Sequence, residues 1–251
     1  MLTDEECKKI EESTKLQRDS QIWLHERSKR LTASFFGQIC NKLPHTGCHN
    51  IVRDILYRNI DTVGMQYGRL HEQDALMHLK EHLNIKVQSC GLFINTELPY
   101  LGATPDGLID EDGLVEIKCP SSCAEMTPED CIKAKKFSFF IFKPDTKSIE
   151  INKKHKYYYQ VQGQMRISDR KFCLFVLWTP LGVYVHKILR DEDFWDKYME
   201  SKLRKFYYDC LLPEIIDPRY TRGMPIRNPQ YILDEQVKRE ALKNKNKEKL
   251  K

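Results

Sequence analysis

The chain has 251 residues, of which 41% are hydrophobic and 31% charged, enough apolar material for a packed core. No apolar run is long enough to cross a membrane, and the polar start MLTDEECKKIEES lacks the apolar centre of a signal peptide. The net charge of +5 resides in the last stretch, where Lys238 to Lys251 carries seven Lys/Arg against two Glu, which excludes a uniformly basic domain.

Taken in order, Thr3 to about Ser20 predicts a loosely packed helix with Thr3 as N-cap and Glu6 closing a capping box. Trp23 to Arg27 continues as helix. Thr32 or Ser34 then caps a short helix over Phe35–Ile39 whose free N–H groups suit a phosphate, with Arg27 and Arg30 close in sequence; an ordinary cap with solvated arginines is the more common reading of such a stretch. His49–Asn59 and Met65–His82 predict two helices, the second with Glu72 near its start. Val87–Ile94 predicts a strand paired with Leu101–Ile109 in a three-stranded meander.

Leu101 to Pro120, LGATPDGLIDEDGLVEIKCP, reads as two arms joined at Asp110-Glu111-Asp112-Gly113, with Gly113 free to adopt a positive φ. In the second arm Glu116 and Lys118 share one face and Val115 and Ile117 the other, because side chains on a strand alternate. The hairpin brings Asp106 beside that polar face. Two close carboxylates repel unless a cation lies between them, and hard oxygen donors suit Mg²⁺ or Mn²⁺, with the carbonyl of Ile117 a further donor. Such a metal acidifies a water and steadies a phosphoryl oxygen, while Lys118 orients the water or offsets the anionic charge. A merely solvated hairpin face is the alternative.

Beyond Pro120, Thr127-Pro128 starts a short helix. Phe137–Phe142 and Ser148–Ile151 form a small hairpin, and His155–Ile167 is a helix bearing Tyr159-Gln160-Val161-Gln162. Phe172–Thr179 is a central strand turning into Val183–Leu189. Asp193–Leu211 is one long amphipathic helix ended by Pro213. From Gly223 the chain is expected to be extended, its Lys-rich end disordered or a frayed helix. The fold class is therefore α/β, a mixed sheet flanked by helices. The expected divisions are an N-terminal helical extension (1–22), one catalytic domain (23–222) and the basic tail (223–251). Cys119, Cys123 and Cys131, with Cys48-His49, match no zinc or cluster spacing. The nine cysteines read as buried or idle thiols in a reducing compartment.

Four segments in this order carry a resemblance: Trp23-x3-Arg27 with Thr32-Ala33-Ser34; Gly68-x3-Glu72; Pro105-Asp106-Gly107 with Glu116-Ile117-Lys118-Cys119-Pro120; and Tyr159-Gln160-Val161-Gln162. Together the chain resembles the lambda-type phage exonucleases and YqaJ-like viral recombinase nucleases of the PD-(D/E)xK superfamily, over about Trp23 to Pro213. The resemblance implies metal-binding acids at Asp106 and Glu116 assisted by the Ile117 carbonyl, and a catalytic lysine at Lys118. It also implies a supporting helix acid at Glu72 and a site glutamine at Gln160. Arg27 and Ser34 would hold the terminal 5′-phosphate, and Thr104 stands where the phage enzyme has serine. A Mg²⁺- or Mn²⁺-dependent 5′→3′ exonuclease on duplex DNA ends follows, acting inside the cell in recombination or viral DNA processing. A homo-oligomer and a strand-annealing or other recombination partner would accompany it. A structure-specific endonuclease and a non-catalytic DNA-binding module are the rival readings. The loop Ser121–Lys156 differs in character from the phage pattern, the Lys-rich end has no assignable counterpart in it, and no ring interface is assignable.

Overall fold

The computed structural model describes residues 2–58 and 61–248. In chain order its elements are α1 (Asp4–Ser13), α2 (Gln21–Ser28), β1 (Leu31–Thr32), α3 (Ala33–Cys40), α4 (His49–Leu56), α5 (Val63–Leu70) and α6 (Glu72–Leu83). There follow β2 (Leu101–Gly102), β3 (Gly107–Ile109), β4 (Gly113–Lys118), α7 (Pro128–Lys133), β5 (Phe140–Lys143), β6 (Ser148–Ile151) and α8 (Lys156–Ile167). Then come β7 (Phe172–Thr179), β8 (Gly182–Leu189), α9 (Glu192–Tyr198), α10 (Glu200–Phe206), α11 (Leu212–Ile216) and α12 (Gln230–Glu248).

The main sheet has the order β3-β4-β7-β8, with β4 and β7 parallel and the outer pairs antiparallel. This is the mixed sheet that the alternation of elements predicted. On one face Val115, Ile117, Val176 and Trp178 pack on Ala75, Leu76 and Leu79 of α6. On the other, Leu114, Cys173, Phe175 and Leu177 pack on α3 and α8 through Phe36, Val161 and Met165. Period two along β4 therefore sends Glu116 toward α8 and its apolar neighbours toward α6. Helices α3 and α8 cross closely because Gly37 lies on the Lys156 backbone and Gly163 lies under the Phe36 ring. A side chain at either position would push α3 and α8 apart.

Several expected elements differ. No strand forms over Val87–Ile94; only isolated antiparallel bridges join Gln88 to Leu108 and Phe93 to Ala103. The backbone between them is taken by the N-terminal segment: Gly91 N–H donates to Glu11 Oε1 at 2.8 Å and Leu92 N–H to Thr14 Oγ1 at 2.8 Å. That segment is therefore docked, with Cys7 and Trp23 packed on Leu92 and Ile94. The Thr3–Glu6 capping box forms as expected, but α1 stops at Ser13, short of Ser20. The arm Leu101–Ile109 is split at Pro105, which has no N–H for a ladder. Its first part pairs in parallel with β1 and its second with β4. In the turn Asp110, not Gly113, takes the positive φ, at 47°; Gly113 is a strand residue packed under the Phe172 ring.

Met65–His82 is two helices, broken at His71. The helix expected over Asp193–Leu211 is broken at fully buried Met199. It then runs through a π-helical turn, Tyr207–Leu211, into α11, where Pro213 occupies the first turn and so needs no intrahelical N–H partner. The chain expected to be extended from Gly223 is helical from Gln230 to Glu248, anchored by fully buried Ile232. Cys123 and Cys131, expected as thiols, are joined in a disulfide; the other seven cysteines are free and buried. Among the described residues no helix is long and apolar enough to cross a membrane.

Candidate active site

Three acids and one lysine meet where β4 passes α6 and α8. Asp106 precedes β3. Its own N–H donates to the Val115 carbonyl at 3.0 Å, and its Oδ2 accepts from the Ile117 N–H at 2.6 Å. Both bonds come from the antiparallel β3–β4 pairing, so the hairpin itself fixes the carboxylate against β4. Ile117 thus meets Asp106 through its N–H.

Glu116 is 2% exposed. Its Oε1 accepts from the Lys118 ammonium and from Gln160 Nε2, the latter at 2.6 Å, and its Oε2 accepts from Gln164 Nε2 at 2.6 Å. Burying a carboxyl group is costly unless its oxygens are met by donors in this way. Lys118 lies over the Tyr157 ring at 5.0 Å. Burial disfavours its ammonium, but Glu116 and Asp106 outweigh that and raise its pKa above the ordinary value, so it is cationic at neutral pH.

Glu72 is the first residue of α6 and faces the same space. Burial, and then repulsion from Glu116, raise its pKa, with Lys118 acting the other way. Asp106 is raised well above the carboxylate range, chiefly by burial and next by Glu116. Both shifts disfavour the anionic forms of these crowded acids, a pressure that a cation between them would relieve. Among the described residues no three Asp, Glu, His or Cys side chains close a cage of their own. The carboxylates that converge here are those of Asp106, Glu116 and Glu72. Sets of this kind suit a hard cation that keeps much of its water shell.

The second half of the site lies on α2 and α3. The Arg27 guanidinium stacks on Trp23 at 4.0 Å and donates to Thr32 Oγ1 at 3.4 Å. No carboxylate pairs with it among the described residues. Burial, with Arg18 adding to it, lowers its pKa to about 10, which leaves it charged at neutral pH. Trp23 Nε1 donates to Thr104 Oγ1 at 3.1 Å, and Thr32 and Ser34 share a hydroxyl contact of 3.2 Å. Thr32 is the N-cap of α3 but its side chain makes no capping bond, so its hydroxyl serves the cluster. Arg30 departs from expectation. It is 6% exposed and bound to Glu26 and, at 2.9 Å, to the Pro99 carbonyl, so it holds the fold and does not face a ligand.

One cavity of about 820 Å³ joins both halves, lined by Arg27, Ser34, Thr104, Glu72, Asp106 and Gln160 among others. Two of its components escaped the sequence reading. Gln164 lies four residues after Gln160, hence on the same helix face, and that spacing was the available signal. The wall at Lys15–Asp19 left no such signal.

A profile of the YqaJ-like viral recombinase domain matches residues 22–171, which span the whole constellation from Trp23 to Gln164. The chain belongs to this family. Its likeness extends to the alkaline nuclease of Autographa californica nuclear polyhedrosis virus, 25% identical over 222 residues, or 78% of this chain and 50% of that protein. The chain thus spans about half the length of that curated relative. Among solved structures, the alkaline exonuclease LHK-Exo of Laribacter hongkongensis superposes with a TM-score of 0.61 at 23% identity. It covers 81% of this chain and 98% of its own. LHK-Exo in complex with dAMP gives 0.60 and 24% identity over 80% and 96%. The fold of this YqaJ-like chain is that of the alkaline exonucleases.

Proposed function

We propose that this chain is a Mg²⁺- or Mn²⁺-dependent deoxyribonuclease that degrades duplex DNA from its ends in the 5′→3′ direction. The observation that carries the reading is the shared cavity. Arg27, a cation with no carboxylate partner among the described residues, opens onto the same space as Asp106 and Glu72. A terminal phosphate on Arg27 and Ser34 would bring the adjoining phosphodiester toward the acids. An internal phosphate, with a nucleotide on each side, would fit a site for a terminal phosphate poorly. Family membership supports the reading. So do the alkaline nuclease and LHK-Exo as named relatives, the latter crystallised with a deoxynucleoside monophosphate.

A divalent cation held by Asp106, Glu116 and the Ile117 carbonyl would acidify a water and stabilise charge on the phosphoryl group. Lys118 offsets the charge that develops during attack. Gln160 and Gln164 hold Glu116 in one orientation, and Glu72 serves the water network from the start of α6. Thr104, tied to Trp23, offers its hydroxyl beside the terminal phosphate. A role in recombination or viral DNA processing, inside the cell with access to DNA, belongs to the same reading, as does a strand-annealing partner.

The test is digestion of linear and covalently closed duplexes in Mg²⁺, with 5′-phosphate or 5′-hydroxyl ends. The expected result is loss of the linear substrate from its 5′-phosphorylated end and an intact circle. Nicked circles would overturn the exonuclease reading.

A further inference from the structure

The cavity has a wall that the family match leaves out. Lys15, Gln17, Arg18 and Asp19 line it opposite α3, although the matched region begins at residue 22. This wall is built into place. Thr14 Oγ1 accepts from the Leu92 N–H at 2.8 Å. Gln17 Nε2 donates to the Cys90 carbonyl at 3.2 Å and to the Pro105 carbonyl at 3.3 Å, one residue before Asp106. Gln17 itself takes a φ of 45°, a conformation that non-glycine residues rarely adopt unless surrounding contacts impose it. The outcome is that Arg18 and Arg27 face one space, close enough for the charge of Arg18 to disfavour that of Arg27. The same charge is felt by Asp61, which is paired with Arg69 at 2.6 Å. Asp19 adds one acid to the rim.

Like charges converging on a cavity are stabilised by an anion between them. A terminal phosphomonoester carries about −1.5 to −2 charges at neutral pH, and an internal diester carries −1. Two guanidiniums match the monoester in both charge and hydrogen-bond donors. Resting on the exonuclease reading above, we propose that Arg18 joins Arg27 in holding the terminal 5′-phosphomonoester, so that the N-terminal segment is part of the end-recognition site.

The test uses the full chain, comparing digestion of linear duplexes with 5′-phosphate and 5′-hydroxyl ends by the native protein, Arg18→Ala, Arg18→Lys, Gln17→Ala and Arg27→Ala. Arg18 is exposed, and circular dichroism checks that its variants keep the fold. Arg18→Ala should cut the preference for phosphorylated ends about tenfold or more while leaving hydroxyl-end digestion within about twofold. Arg18→Lys should restore part of the preference, and Gln17→Ala should lower it in the same direction by releasing the wall. If Arg27→Ala abolishes the preference and Arg18→Ala leaves it intact, this inference fails while the exonuclease reading stands. If Arg18→Ala slows both ends equally, Arg18 binds DNA generally and the inference also fails. A native protein with no phosphate preference would overturn the end-recognition reading and this inference with it.

Discussion

Gln164 donates to Oε2 of Glu116 at 2.6 Å from a position that is 1% exposed, and its own Oε1 is buried without a partner. A buried amide with half of its hydrogen-bonding capacity unused costs roughly 1–3 kcal/mol. Its retention beside a buried carboxylate points to a positioning role for that carboxylate. Gln164→Leu keeps the approximate volume and removes the donor to Oε2. It should lower activity and direct Mn²⁺ binding each by about 10–100-fold. Gln164→Asn, one methylene shorter, should recover little. Native Mn²⁺ affinity in the folded Leu variant, measured by calorimetry, would sink the role.

Lys118 divides binding from chemistry. It touches Glu116 and stacks near Tyr157, and its ammonium lies amid Glu72, Asp106 and Glu116. Lys118→Ala should lose activity by about a hundredfold or more yet bind Mn²⁺ at least as well as the native protein, because the acids lose an internal competitor. Asp106→Ala should lose both. Loss of Mn²⁺ binding in Lys118→Ala without unfolding would mean that the lysine builds the site.

Much of this was legible because local chemistry decided it. Alternation along β4 separated Glu116 from Val115 and Ile117, and Thr127-Pro128 announced α7 through a cap that forms as expected. Residues decided by distant partners were not legible. Arg27 and Arg30 stand three apart in sequence, and only the approach of the Pro99 carbonyl distinguishes the one that is tied into the fold from the one that lines the cavity. Gln17 reaches partners 73 and 88 residues away. The strand predicted over Val87–Ile94 had the right composition, but Glu11 and Thr14 satisfy its backbone instead. The break at Met199 likewise follows from burial of that side chain against the core, which overrides helical propensity.

The basic C-terminal stretch gives a salt-dependence prediction. Ile232 and Gln236 dock the start of α12, the latter on the His45 carbonyl at 3.1 Å, so removal of residues 238–251 leaves the docked turns intact. The deleted stretch holds seven Lys/Arg. For every phosphate that these side chains neutralise, the deletion should reduce the log–log salt slope of duplex binding by about 0.9. Activity at low salt should persist. An unchanged slope would mean that the stretch does not touch DNA.

The Glu26–Arg30 pair should control stability through pH. Arg30 Nη1 reaches the Glu26 carboxylate at 2.6 Å and its backbone carbonyl at 2.8 Å, while Nε reaches Pro99. The two side chains are 13% and 8% exposed. These bonds hold the end of α2, and with it the orientation of Trp23 and Arg27. Burial opposes the Glu26 charge, but bonds from Lys29 and Arg30 prevail and lower its pKa below the ordinary 4.5. A carboxylate with a depressed folded value contributes stability that is fully present above the unfolded value. That contribution is lost as pH falls through the folded value. Glu26→Gln should therefore cost about 2–3 kcal/mol at pH 7, since it leaves a buried arginine without its counter-charge. As the pH falls through the folded value the difference from the native protein should shrink, because the native glutamate is then becoming neutral as well. Urea midpoints at pH 7, 5 and 3.5 would measure this. A difference that stayed constant across that range would assign the loss to packing, and a difference that grew toward acid would contradict the sign argued here.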